Sequence, residues 1–199
     1  MDLVISPTSP YARKVRIVRL EKGLQDRVQV VTASPLAPGS RAVIQNPLGK
    51  VPSLILDDGT VLFDSPVICA YLDAIDGAPS LTDFSGDQRW DCDRAQALGD
   101  GIMDAAYNLV MERRRDPGEQ SASWLERWQQ NIAHAVAAVE QDVQRRGSAF
   151  DIGSISCAVA LGYLDFRLSD IDWWQGHADL RSWYETFIDR PSFQMTDYE

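Results

Sequence analysis

The sequence predicts an α/β domain of order βαβ–ββα followed by an all-helical bundle domain. Three observations predict it. In residues 1–76, short apolar runs of strand length alternate with helix signals. Asp58-Gly59 joins two of those runs as a two-residue turn. Beyond residue 88, the apolar residues recur at helical spacing.

Leu3-Val4-Ile5 reads as a buried first strand. Ser6-Pro7-Thr8-Ser9-Pro10 is a loop, and a helix starts at Ser9 or Pro10. It turns Val15, Val18 and Leu20 toward the core and stops at Gly23. Val28 to Val31 forms a second strand, and the helical crossover makes this pair parallel. Residues 34–46 are a loose segment with a helical turn near Ser40 to Gln45. Leu54 to Leu56 and Thr60 to Phe63 are the two arms of the hairpin, with Pro52 at its entry. Ser65-Pro66 then opens a helix to about Ile75, with Ser65 at N-cap and proline in the first turn.

Residues 77–88, GAPSLTDFSGDQ, are rich in turn formers and are read as a linker between domains 1–76 and 89–199. Leu98, Ile102, Ala105 and Leu109 mark the first long helix, which Asp116-Pro117-Gly118 ends. Trp124, Trp128, Ile132, Ala135, Val139 and Val143 mark the second, which stops at Gly147. Asp151 caps a third helix with Ser154 at N3; it is apolar almost all round and reads as the centre of its domain. The last helix covers roughly Leu180 to Ile188. The six tryptophans follow these stripes and are read mostly as core.

A net charge of −10, from 19 basic and 29 acidic residues, argues against nucleic acid or an anionic membrane as the main partner. The basic cluster Arg113-Arg114-Arg115 is flanked by Glu112 and Asp116 and reads as a solvated helix end. Cys69, Cys92 and Cys157 are an odd number without metal-ligand spacing, and read as small apolar residues in a reducing compartment. His134 and His177 stand alone, so no metal site is expected. No apolar run reaches the length of a membrane span and the start lacks a signal-peptide layout; the expectation is a soluble cytoplasmic protein.

Asn46-Pro47-Leu48-Gly49-Lys50-Val51-Pro52, followed after the hairpin by Asp64-Ser65, resembles the glutathione-binding half of the cytosolic glutathione S-transferases. The βαβ–ββα order is likewise similar to a thioredoxin-like domain, and Gly162-Tyr163-Leu164-Asp165-Phe166-Arg167 resembles the family's central C-terminal helix. The chain departs from the family at Ser154, where an Asp is usual; a hydroxyl bonds back to the cap more weakly than a carboxylate. The resemblance implies a cis bond before Pro52 and a homodimer. It implies that the Val51 backbone pairs with the cysteinyl backbone of glutathione. Asp64 and Ser65 would hold the γ-glutamyl end, and Lys50 would sit near the glycyl carboxylate. Asp104 resembles an acid that some family dimers extend into the neighbour's glutathione site. Tyr107, Met111 and Arg114 are candidates for the second-substrate pocket.

The chemistry of this family needs glutathione as a thiolate. A free thiol has a pKa near ~8.5, so about 2 kcal/mol of selective thiolate stabilisation makes it half ionised at neutral pH. A hydrogen bond to a charged group supplies ~1.5–3 kcal/mol. A helix N-terminus adds up to ~1 kcal/mol. Ser9-Pro10-Tyr11-Ala12 resembles the Ser-Pro-Phe/Tyr motif of the serine-type transferases, with Ser9 as the candidate catalytic hydroxyl. The bland alternative is that Ser9 only caps the helix, and Thr8 and then Ser6 are the next candidates. The resulting expectation is a detoxifying transferase that conjugates glutathione, its co-substrate, to a small hydrophobic electrophile. A glutathione-dependent isomerase or dehalogenase would use the same thiolate. A non-catalytic interaction module on the same fold is the alternative of another class.

Overall fold

In the computed structural model, β1 (Asp2–Ile5) pairs in parallel with β2 (Gln29–Thr32) and antiparallel with β3 (Ser53–Ile55). β3 pairs antiparallel with β4 (Val61–Leu62), giving the order β2–β1–β3–β4. The structure describes residues 1–35, 37–75, 80–82 and 85–198. Residues 77–79, 83 and 84 of the expected linker lie outside them. The chain divides into two units, residues 1–85 with 191–199, and residues 86–190.

The first unit follows the mixed-sheet plan because its crossover is helical. α1 (Pro10–Glu21) links the parallel pair, and Gly23, at φ +64, ends the turn that follows it. Val15 and Val18 are buried as the spacing predicts; Leu20 is only half-buried, and Ile17 occupies the core instead. α2 (Ser40–Ile44) is the short turn in the loose segment. The hairpin turn closes through a bond from the Thr60 amide to Asp58 Oδ1 at 2.8 Å, with Gly59 at φ +85. α3 (Ser65–Ile75) packs against α1 and β3.

The C-terminal ends of α1 and α3 are tied together. Lys22 Nζ lies 3.0 Å from Asp73 Oδ1, and both side chains are almost wholly shielded from solvent. Asp73 also accepts the Leu81 amide at 3.0 Å, and the Thr82 amide and hydroxyl at 2.8 and 2.6 Å. Burial alone would raise the Asp73 pKa, but the bonds from Thr82, Leu81 and Lys22 outweigh it and hold the carboxyl below its ordinary value.

Residues 191–199, read from the sequence as part of the helical domain, group with the first unit. There α8 (Pro191–Gln194) packs against α1. Arg13 donates to the Phe193 carbonyl at 3.3 Å and pairs with Asp197 at 3.2 Å. Arg16 donates to the Met195 carbonyl at 3.2 Å, and Ser192 donates to Glu21 at 2.5 Å.

The second unit is helical. α4 (Asp87–Arg113) packs against α5 (Ala122–Arg146) and α6 (Ile152–Arg167), and α7 (Ala178–Ile188) packs on α5 and α6. A 3₁₀ turn, Pro117–Glu119, separates α4 from α5. Every residue from Ile152 to Leu164 is buried, so α6 is the centre the sequence predicts. Backbones meet at two glycines. A Cβ on Gly99 would lie 2.5 Å from the Ser156 carbonyl carbon, and one on Gly153 would lie 2.6 Å from the Cys92 oxygen. The Asp151–Ser154 box closes fully: the Ser154 amide donates to Asp151 Oδ1, and the Asp151 amide to Ser154 Oγ, each at 3.0 Å. Asp142 gathers Arg94, Arg145 and Arg146, and Arg146 reaches on to the Asp151 cap.

The core reading of the tryptophans is corrected. Only Trp173 is buried; Trp90 and Trp124 are exposed and the other three are half-buried. Trp124 and Trp128 shed surface by stacking on each other at 5.3 Å, and Arg127 lies over Trp124. The three cysteines are free and buried, and burial pushes the Cys92 and Cys157 thiols up to about 12, which keeps them protonated and inert.

The Lys22–Asp73 pair yields a test. Asp73→Asn removes the charge that faces the buried Lys22 ammonium and is expected to cost about 3 kcal/mol of stability at pH 7. The folded carboxyl titrates below its unfolded value. Its contribution is therefore full above the unfolded pKa near ~4 and is lost as pH falls through the depressed folded value. Urea denaturation of both proteins across that acid range should show the gap between them closing.

Candidate functional site

One end of the sheet collects most of the residues singled out in the sequence. β1 pairs Val4 with Ser53, and β3 pairs Leu54 with Leu62. Continuing those registers past the last pairs sets Pro52 opposite Ile5 and Asp64 opposite Pro52. The exit from β1, the entry to β3 and the exit from β4 therefore share one end, and α1 and α3 both begin there. Their N-terminal amides bring partial positive charge to it.

Ser9 is the N-cap of α1. Its carbonyl accepts the Arg13 amide at 3.0 Å, and its Oγ accepts the Ala12 amide at 3.3 Å. That second bond is long for N–H···O, and Oγ accepts in it, so the hydroxyl proton remains to be donated. The side chain is half-buried. Ser6 and Thr8 stand beside it, their hydroxyls 3.4 Å apart.

Val51 and Pro52 are presented by a loop built around Asn46. This residue is buried, a status its polarity does not predict. Asn46 Oδ1 accepts the Leu48 amide at 2.9 Å, its carbonyl accepts the Gly49 amide at 2.8 Å, and its Nδ2 donates to the Lys50 carbonyl at 3.0 Å. Gly49 adopts φ +65 to complete the turn. The sequence reading used Asn46 only as part of a motif; an Asn followed by Pro and Gly is the turn signal that assigns it this role. The Val51–Pro52 peptide is cis, as the resemblance implies, and Phe63–Asp64 is cis as well. Ser53 anchors the other side of the loop by donating to the Ile44 carbonyl. Lys50 is exposed, and its ammonium has no carboxylate partner among the described residues.

The start of α3 corrects the sequence reading by one residue. The Asp64 carbonyl accepts the first helical bond, from the Ile68 amide at 3.0 Å, so Asp64 occupies the cap position and Ser65 is the first helical residue. Ser65 is 2% exposed and its hydroxyl makes no bond to another described residue. Asp64 is exposed.

Two family models match the chain: the glutathione S-transferase N-terminal domain over residues 8–75 and its C-terminal domain over residues 122–186. The GST-like protein YibF of Escherichia coli (strain K12) is 32% identical over 99% of this chain and 98% of its own. A glutathione transferase family member from Pseudomonas fluorescens Pf-5, solved with bound glutathione, superposes with a TM-score of 0.94 at 40% identity, covering 100% of this chain and 98% of its own. The same family member was also solved with bound S-(propanoic acid)-glutathione; that structure gives a TM-score of 0.91 at 40% identity, over 100% of this chain and 99% of its own. The chain belongs to the glutathione S-transferase family.

For a glutathione S-transferase, the first unit thus holds Ser9, Lys50, Val51, Pro52, Asp64 and Ser65. Asp104 is exposed on α4 in the second unit, as is Tyr107; Met111 and Arg114 continue the same stripe. Among the described residues, no group of three His, Cys, Asp or Glu could hold a metal ion, and no helix is long and apolar enough to cross a membrane. His177 is engaged by Glu140 at 2.8 Å.

Asn46→Ala removes both side-chain bonds of the loop and is expected to cost about 1–3 kcal/mol. Native-state hydrogen exchange should show it locally, with faster exchange at the Leu48 amide than at amides of β1.

Proposed function

We propose that the protein conjugates glutathione to a small hydrophobic electrophile, with Ser9 stabilising the thiolate. The observation that carries this is the Ser9 hydroxyl: it caps α1 through a long bond and keeps its proton for a sulfur at the shared end of the sheet. The Val51 backbone, one residue outside the β3 ladder, takes the cysteinyl backbone. Asp64 receives the glutamyl ammonium, Ser65 and the first amides of α3 receive the glutamyl carboxylate, and Lys50 attracts the glycyl carboxylate. The sulfur then attacks an electrophilic carbon. A carbon–sulfur bond forms as the bond to the leaving group breaks, or as a conjugated double bond opens and its far carbon takes a proton. Glutathione and S-(propanoic acid)-glutathione in the Pseudomonas relative support a site for glutathione and its thioethers.

This reading includes a homodimer in which Asp104 reaches the glutathione site of the partner subunit, a cytoplasmic setting that suits three free thiols, and a role in detoxification.

Calorimetry with glutathione, followed by a panel of aryl halides, haloalkanes, enones and isomerisable acids, tests the assignment; absence of glutathione binding would overturn it. Ser9→Ala is expected to leave glutathione affinity nearly unchanged. The thiol pKa should rise by about one unit or more and turnover at pH 7 should fall at least ~tenfold, the equivalent of ~1.4 kcal/mol. Ultraviolet thiolate absorbance titrated against pH reads that pKa directly. Ser65→Ala separates ligand binding from capping. Because Asp64 holds the cap, the variant should melt within a few tenths of a kcal/mol of the parent, while glutathione affinity falls more than ~tenfold.

A further inference from the structure

The second unit holds a cavity of about 480 Å³ between the end of α5, the segment that follows it and the end of α7. Its size falls in the range that takes a small organic ligand, ~300–1,000 Å³. None of the residues assigned to glutathione lines it. Three aromatic rings form its wall. Phe187 is 4% exposed and stands at their centre. Its ring centroid lies 4.4 Å from that of Trp183 and 5.7 Å from that of Phe150. Phe150 and Trp183 are only half-buried, so the chain itself covers this cluster incompletely.

Backbone bonds fix these walls. The Gly147 amide donates to the Val143 carbonyl at 2.8 Å and ends α5, and Gly147, at φ +64, turns the chain so that Phe150 meets α7. The Arg190 amide donates to the Phe187 carbonyl at 3.0 Å, which holds Arg190 just past the end of α7. Its guanidinium lies over the Phe150 ring, 3.6 Å from the centroid. A stacked guanidinium spends none of its in-plane N–H donors on the ring. The polar content of the cavity is otherwise slight. The Thr186 hydroxyl donates to the Trp183 carbonyl at 2.7 Å, and Ser148 supplies the other hydroxyl. Gly147 and Ser148 are exposed, so the cavity opens to solvent beside them. Among the lining residues Arg190 alone carries a charge, and none has a carboxylate.

We propose that this cavity is a second binding site, for a small planar aromatic acid. A flat aromatic ligand stacks against Trp183 and Phe150 and completes the coverage that the chain leaves open. A single cation beside apolar walls calls for a single anionic group on that ligand, and a guanidinium fork matches the two oxygens of a carboxylate. A chain of net charge −10 disfavours anions in general, so the positive sign of this cavity is a local property. The site binds and does no chemistry. It is independent of the transferase reading, since no residue of the thiolate chemistry takes part in it.

Calorimetry with 2-naphthoate, 2-naphthylmethanol and cyclohexanecarboxylate tests this on the full-length protein. The naphthoate alone carries both the rings and the charge, and is expected to bind at least ~tenfold more tightly than either of the others. Saturating S-hexylglutathione should leave that affinity unchanged. Arg190→Gln should bring 2-naphthoate within about threefold of the alcohol. Ser148→Trp, at an exposed position, fills the mouth of the cavity; it should weaken 2-naphthoate at least ~tenfold and leave glutathione affinity as in the parent. It also keeps the test valid should the Arg190 variant fail to fold. Equal binding of the three compounds, displacement of 2-naphthoate by S-hexylglutathione, or tight binding that survives Ser148→Trp overturns the inference and leaves the transferase reading standing. So does a preference for the carboxylate that survives Arg190→Gln. A protein that binds 2-naphthoate in this way but no glutathione loses the transferase reading alone.

Discussion

A buried ion pair at one end of two helices governs what their other ends can do. Lys22 at the end of α1 meets Asp73 on the last turn of α3, and Asp73 in turn holds the backbone of residues 81 and 82. Two unpaired charges at that depth would be costly, so the pair fixes the helices against each other once they are buried. With their C-termini fixed there and their N-termini rising from neighbouring strand ends, α1 and α3 direct the positive ends of their dipoles toward one small volume. The positive potential there is thus a product of tertiary locking: Lys50 is the one lysine of the motif and stands out in solvent. The charge arrangement is not uniform in its benefit. A cation suits the end of α1 and an anion does not suit the end of α3, so the pairing offsets an unfavourable dipole contact at Asp73.

The second unit solves a different problem, the burial of a helix on all sides. α6 has no polar face to give to water, and its neighbours must approach closely enough to leave no gap. Gly99 and Gly153 allow that approach by removing side chains where α4 and α6 touch backbone to backbone. The polar ends of the helices are then managed by Asp151 and Asp142, which share Arg146. A serine at N3 closes the cap as completely as geometry requires, so the departure from the family's usual acid at Ser154 is absorbed locally.

What was legible in the sequence is what is written within a few residues. The hairpin turn at Asp58-Gly59, the cap at Ser9 and the box at Asp151 act through bonds spanning two or three positions, and their residue types announce them. The candidate site residues Ser9, Val51, Pro52, Asp64 and Ser65 likewise lie in short motifs at strand ends, and the strand registers gather those ends together. The sequence reading failed where partners are distant. Lys22 and Asp73 are 51 residues apart, and Arg13 and Phe193 are 180 apart; no periodicity marks either contact. Helical stripes also overstate burial for tryptophan, because a stripe shows which face a residue occupies and not whether another element covers it. Trp124 keeps its place in the stripe and loses half its burial to solvent. The position of the α3 cap slipped by one residue because Asp and Ser are equally good caps and stand side by side.

The docking of residues 191–198 on α1 bears on how the protein is made. The helix capped by Ser9 is translated before the helical unit, yet Arg13, Arg16 and Glu21 bond to residues translated after it. The first unit is therefore discontinuous along the chain: its sheet can form early, but one flank of α1 stays uncovered until synthesis passes residue 191. During that interval the nascent chain carries a helix with a buried-type arginine and no neighbour for it. Assembly of the first unit is in this sense completed only after the helical unit has been made.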